Sequence, residues 1–427
     1  MAETLTNSLS LRKNFSWIFV GYIVYVACQW GILVVLAKLG SPRMVGEFAL
    51  GLAVTAPIVL FANLGLRAFQ ATDAERRYDF SDYLGLRILT TVLAFATVLV
   101  VVLVSGYGGE VALVIVLVGL AKCFEAISDI YYGLLQQRER MDRISKSMMM
   151  RGLLSLAALG AAMYFTGSVL WGVAAMAGTW ALILFSYDLR SGVRVIGSRS
   201  QSDSGGSRPG WDAARLKSLV LTTLPLGLSV VMISLNTNIP RYLIENYLTT
   251  RDLGIFAALA YPAAAGATVV GALGQSASPR LARHYAEGDA PAFRALLVKL
   301  LGLGAAFGVA GIIVAALAGK DILKLFYTPE YAEYSGVFLL LMGAAGISYV
   351  ASFVGFAMIA ARRIRTQIPL FGCVILVTTV TCLVFAPSLG LLGIAVGVTA
   401  GVLFQLVAGV SVILYALAAM TREEVLG

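Results

Sequence analysis

The chain has 427 residues, 59% of them hydrophobic and only 13% charged, and its mean hydropathy is +0.86. Soluble proteins carry about 25% charged residues, so this chain cannot clothe a water-facing surface and is no soluble globular protein. The net charge of +9 lies mostly between apolar runs, which makes it a topology signal first, and no nucleic-acid partner is expected.

A bilayer-spanning helix needs ~20 mostly apolar residues. Backbone groups in hydrocarbon must bond within the segment. The runs here are continuous, unlike the ~10-residue alternating segments of an outer-membrane barrel. The expected fold is all-α and integral to the membrane, with about twelve transmembrane helices in two six-helix lobes around a central cavity. Spans fall at roughly 15–37, 44–66, 83–104, 111–135, 149–166, 168–188, 218–240, 253–276, 293–318, 333–361, 367–385 and 390–418.

The first run, Phe15 to Ala37, is too long for a signal-peptide core and lacks a small-residue cleavage site. It reads as a permanent span. Gln29 sits in its middle, with Tyr22 and Tyr25 on roughly the same side. Their polar edges suit sugar hydroxyls, or hydrogen bonds between helices. The second span carries Pro57, then Asn63 and Arg67 one turn apart at its end. An arginine fork suits phosphate and pyrophosphate oxygens; snorkelling to headgroups is the simpler account.

The fourth span holds Lys122, Glu125 and Asp129. At 100° per residue they share one face. Each charge costs at least ~2.5–3.5 kcal/mol at the bilayer centre, so that face cannot meet lipid. It is a polar cavity wall, with Glu125 and Asp129 as candidates for proton or sodium coupling, or it is an ion pair buried between helices. The fourth and tenth spans end alike, in Gly133 and Gly355, each followed by basic residues.

Between the sixth and seventh spans, 191–217 is a linker. Its Ser198–Gly210 stretch has the Ser/Gly/Arg composition of a flexible segment. It divides an N-terminal lobe, 1–190, from a C-terminal lobe, 218–427. The halves echo each other: Gly46-Glu47-Phe48-Ala49 opens the second span and Gly254-Ile255-Phe256-Ala257 the eighth. A repeat with an even number of spans gives lobes of equal orientation.

The seventh span contains Pro225 and Pro240 and ends at Arg241, after Asn236 and Asn238. Pro262 lies in the eighth. These prolines kink helices, as hinges or as static bends. Gly393, Gly397 and Gly401 form a close-packing ladder on the twelfth. His284 is the single histidine, and the four cysteines (Cys28, Cys123, Cys373, Cys382) lie in apolar runs without CxxC spacing. No metal site, catalytic triad or P-loop is encoded, and neither catalytic residue nor cofactor is expected.

Loops on one side carry 25 Lys and Arg residues against 6 on the other, with Lys122 within a span. The first set includes Arg76, Arg87, Arg151 and Arg199; the second includes Arg241. By the positive-inside rule the rich side, with both termini, is cytoplasmic.

Several stretches resemble bacterial polysaccharide transporters, the O-antigen and exopolysaccharide repeat-unit flippases of the multidrug/oligosaccharidyl-lipid/polysaccharide exporter superfamily. They are Leu36–Arg87 (LAKLGSPRMVGEF…YLGLR), Glu125–Ser147 (EAISDIYYGLLQQRERMDRISKS), Arg241–Asp289 (RYLIENYLTTRDLGIFAALAYP…SPRLARHYAEGD), Ile322–Gly343 and Phe385–Gly397. The resemblance implies alternating access between lobes and an undecaprenyl-pyrophosphate-linked oligosaccharide as substrate, carried across the bacterial inner membrane. Membrane lipid and polysaccharide polymerases are the implied partners. Arg67, Lys122 and Arg241, with Asn63, Gln29 and Tyr25, are the candidate substrate residues on chemical grounds. A cation-coupled multidrug exporter of the same superfamily is the alternative. A membrane glycosyltransferase or polymerase would need acidic residues on a sizeable external segment; Gly319–Ala332 offers only Asp321 and Glu330.

Overall fold

The computed structural model describes residues 11–73, 77–197 and 208–426. Arg76, Arg199 and the 198–207 part of the linker lie outside them. Among the described residues the regular structure is helical, and 12 helices are long and apolar enough to cross a membrane. The chain forms two compact units that divide between Ser234 and Leu235.

The first unit begins with α1 (Leu11–Leu39) and α2 (Pro42–Asn63). Ser41 caps α2 by accepting from the Met44 amide, and Pro42 occupies the first turn, where no amide is needed. The second span then breaks. Leu64 and Gly65 take left-handed backbone angles, φ 50° and 62°, which end α2 and start the short helix α3 (Leu66–Thr72). Asn63 and Arg67 therefore do not share a helix face, contrary to the expectation from their spacing.

Next come α4 (Phe80–Val104), α5 (Gly109–Gln137), α6 (Met141–Thr166) and α7 (Val169–Ile183). Asp79 and Asp82 close a capping box at the start of α4. The α7 rod passes through a π-helical turn, Leu184–Asp188, into α8 (Leu189–Gly197). Residues 191–197 of the linker are thus helical. Its far end is anchored: the Gly210 amide donates to the Ser81 carbonyl at 2.8 Å, and Arg215 pairs with Asp79 and Asp82.

Within this unit α5 packs against α2, α4 and α7, and α1 against α6. The last pairing depends on a small residue. A methyl on Gly152 would stand 3.0 Å from Cys28 Cβ and 3.4 Å from the Tyr25 Cα. The missing side chain lets α1 come close enough to bring Tyr25 toward α5.

The helix α9 (Ala213–Tyr247) carries the chain across the division between the units, running on through Pro225 and Pro240. The seventh span is thus longer than its predicted end at 240, and Arg241 lies inside a helix. The second unit continues with α10 (Thr250–Ala286), α11 (Ala290–Phe326), α12 (Pro329–Ala332), α13 (Ser335–Ala360), α14 (Ile364–Leu389) and α15 (Leu391–Leu426). Leu281, Phe293, Tyr349, Phe353 and Ile413 lie in its core. The predicted glycine ladder is a packing seam: Gly397 faces Cys382 and Gly401 faces Thr378, on α14.

Pro262, inside α10, has no amide for the carbonyl of Ala258, four residues back. Tyr327 supplies the missing donor, its hydroxyl reaching the Ala258 oxygen at 3.0 Å. The freed group is thereby satisfied within the protein, as a membrane interior requires.

Candidate functional site: a buried charge network in the first unit

Lys122, Glu125 and Asp129 lie on one face of α5, and the structure surrounds that face with partners. Glu125 accepts from Lys122 Nζ at 2.7 Å and from the Tyr25 hydroxyl at 3.0 Å. Arg151 of α6 stands 3.9 Å from Oε1, the oxygen that Tyr25 also holds. Asp129 accepts from Arg67 at 3.0 Å and faces Arg87 of α4 at 3.6 Å. Arg87 also donates to the side-chain oxygen of Asn63. Asn63 and Arg67 thus meet through Arg87 and Asp129, a route that their spacing did not reveal.

Arg151 makes a second ion pair, with Asp188 at 3.2 Å. Asp188 also accepts from Ser147 at 2.6 Å, and Ser147 is hydrogen-bonded to the Tyr132 hydroxyl at 2.7 Å. Aromatic faces join the parts. Arg67 and Arg151 lie over the Tyr132 ring at 5.4 and 5.6 Å. Lys122 and Arg151 lie over Trp180 at 5.2 and 5.3 Å. At these separations each cation gains from the ring quadrupole, more so where water is excluded.

Burial sorts the network into two tiers. The side chains of Arg87, Arg151 and Asp188 are 0–2% exposed. Those of Arg67, Lys122, Glu125 and Asp129 are 25–31% exposed. The inner tier fixes geometry. The outer tier keeps part of its charge at an accessible surface of the unit.

Six of the eight predicted site residues belong here: Tyr25, Asn63, Arg67, Lys122, Glu125 and Asp129. Gln29 lies one turn beyond Tyr25 with its amide nitrogen buried and unpartnered. Tyr22 is 43% exposed and turns away. Arg241 lies in the second unit, lining a cavity of about 250 Å³.

Sequence reasoning missed Arg87, Arg151 and Asp188. The two arginines were counted among loop charges, yet both fall inside predicted spans. Both lie close to the span ends, where the burial cost that singled out Lys122 is weaker. Asp188 gave no comparable signal, since its orientation depends on the π turn. Among the described residues no three His, Cys, Asp or Glu side chains group as metal ligands would. In the segment Gly319–Ala332, Glu330 accepts from Arg251 Nε at 2.7 Å, so that carboxylate is already engaged.

Twelve apolar helices, with a charged network buried among those of the first unit, define a polytopic α-helical membrane protein with a transporter fold. The backbone is similar to an inward-facing multidrug resistance MATE family transporter of the MOP superfamily, with a TM-score of 0.72 at 15% identity, over 95% of this chain and 99% of that one. It is also similar to a MOP superfamily transporter from Pyrococcus furiosus, with a TM-score of 0.62 at 15% identity, over 95% and 94%. The particular family follows from sequence: the chain belongs to the polysaccharide biosynthesis protein family, whose model matches residues 11–284. A relative, the capsular polysaccharide biosynthesis protein CapF of Staphylococcus aureus, is 27% identical over 391 residues, or 91% of this chain and 95% of that protein.

Proposed function

We propose that the protein flips a pyrophosphate-linked oligosaccharide on a polyprenyl carrier across the bacterial cytoplasmic membrane, by alternating access, for surface polysaccharide synthesis. The carrying observation is the charge balance of the first unit. Among the described residues, Arg67, Arg87, Lys122 and Arg151 pair with Glu125, Asp129 and Asp188 alone. One positive charge is left over in a setting where charge is costly. An anionic phosphate on the substrate offsets that cost, and Arg67 and Lys122 are the cations with accessible edges. Membership in the polysaccharide biosynthesis family supports the same cargo.

The MATE-type fold raises the other reading, a cation-coupled drug exporter. Such a protein wants a free carboxylate. Here Glu125 is held by Lys122, Tyr25 and Arg151, and Asp129 by Arg67 and Arg87. Both act as counter-ions in this arrangement, so neither is presented bare to a cation.

The test is deletion of the gene in its native host, with complementation by wild type and by Lys122→Ala. The readouts are surface polysaccharide and the leaflet holding the lipid-linked repeat unit. Loss of polymer with repeat units retained on the cytoplasmic leaflet supports flipping, and Lys122→Ala should fail to restore export. Normal polymer together with new sensitivity to cationic dyes would transfer the assignment to drug export.

A further inference from the structure

The second unit holds a cavity of its own, lined by a different set of side chains from the network above. It is lined by α9, α10, α13, α14 and α15 and open on one side, and half of its lining residues are alanine and valine. Its polar side chains are Asn236, Thr237, Arg241, Ser348, Tyr349 and Thr378. Arg241 is its single charged residue. One guanidinium nitrogen donates to the Asn238 side chain at 2.8 Å. Its Nε is buried and closed off from the cavity, so a ligand meets the guanidinium at its outer edge. Among the described residues no carboxylate pairs with Arg241, and an anion in the cavity would offset the cost of that buried charge.

The same turn of helix supplies an acceptor. Pro240 has no amide, so α9 cannot satisfy the Asn236 carbonyl, four residues back, in the usual way. Asn236 and Pro240 both line the cavity. A ligand that fits must therefore bring a negative charge and hydroxyl donors together. Chloride brings no donors. A pyrophosphate diester brings none either, and carries more charge than one guanidinium balances. The volume, about 250 Å³, falls below the ~300–1,000 Å³ of drug-sized sites. It suits one sugar ring, with the rest of a saccharide extending through the open side.

We infer that this cavity is a specificity subsite for a single acidic sugar residue of the transported repeat unit, with Arg241 reading its carboxylate and the Asn236 carbonyl accepting from a ring hydroxyl. The inference rests on the flippase reading and deepens it. Pyrophosphate belongs to the cations of the first unit, and the acidic sugar to the second.

The experiment uses the full-length protein in nanodiscs and saturation-transfer NMR, which reads weak binding. The probes are methyl glucuronoside, methyl glucoside and inorganic pyrophosphate. Wild type should favour the glucuronoside over the glucoside by about tenfold, the scale of one charge-assisted hydrogen bond. Arg241→Gln should abolish that preference and leave pyrophosphate binding intact, whereas Lys122→Gln should do the reverse. Arg241→Lys should keep part of the preference, which also shows that a variant at this position folds. Equal saturation of both sugars in wild type, or no saturation of the glucuronoside, overturns the inference. So does a loss of pyrophosphate binding in Arg241→Gln. Failure of the flippase reading is seen separately, as absence of flipping by wild type in proteoliposomes loaded with lipid-linked repeat units. If wild type flips acidic and neutral units and Arg241→Gln slows both equally, flipping stands and the subsite falls.

Discussion

Asp188 and Lys122 show how two charges in one network differ in consequence. Asp188 is 0% exposed and pairs with Arg151, itself 2% exposed. Removing one partner of such a pair strands the other charge in low dielectric, at a cost of about 3–5 kcal/mol. Asp188→Asn keeps the shape and removes the charge, so it should lower the thermal unfolding temperature of the detergent-solubilised protein sharply. An unchanged melting curve would mean that Glu125 alone compensates Arg151. Lys122 is a quarter exposed, and its ion pair with Glu125 is open on one side. Lys122→Gln should therefore shift stability by no more than about 1 kcal/mol while transport collapses. If stability fell as far as in Asp188→Asn, Lys122 would be a structural residue and not a ligand-facing one. The contrast was half legible in the sequence. Lys122 stood out because it lies well inside a span and shares a face with Glu125 and Asp129. Arg87 and Arg151 did not, because they lie near span ends, where linear position alone cannot separate a loop charge from a buried one.

Elements were read well where hydropathy decides and poorly where backbone irregularity does. Twelve long apolar runs became 12 candidate spans, because a bilayer imposes one length and one secondary structure. The break at Leu64–Gly65 and the π turn at Leu184–Asp188 leave no mark on hydropathy. Both matter to the site, since the break delivers Arg67 and the turn delivers Asp188. A π turn holds one residue more than the α-helical path, and such turns cluster at functional sites. Deleting Ser186 should convert the turn to α-helix and, because the turn already absorbs one extra residue, leave Asp188 and α8 facing as before. The deletion should therefore cost far less stability than Asp188→Asn, read by the same thermal unfolding. A loss as large as that of Asp188→Asn would show that the wide turn itself holds Asp188 on Arg151.

For the molecule as a whole, the network changes what the basic residues say about orientation. The positive-inside rule concerns loop charges. Arg67, Arg87 and Arg151 are pinned to carboxylates inside the first unit, and Arg241 lines a cavity in the second. Setting them aside leaves 22 basic residues against 5. The bias therefore survives the correction, and it comes from the short connections, where the rule is strongest. Two of those connections carry exposed residues suited to a test: Ser105, after α4, on the sparse side, and Glu287, after α10, on the rich side. In a background where the exposed Cys373 is Ser, Ser105→Cys should react with a membrane-impermeant maleimide added to intact cells with a permeable outer envelope. Glu287→Cys should react only after the cytoplasmic membrane is opened. The reverse pattern would place the basic loops outside and leave the charge bias without its physical cause. Labelling of both from one side would mean that the number of crossings between α4 and α10 is even, not odd, and that one of the 12 candidate spans does not cross.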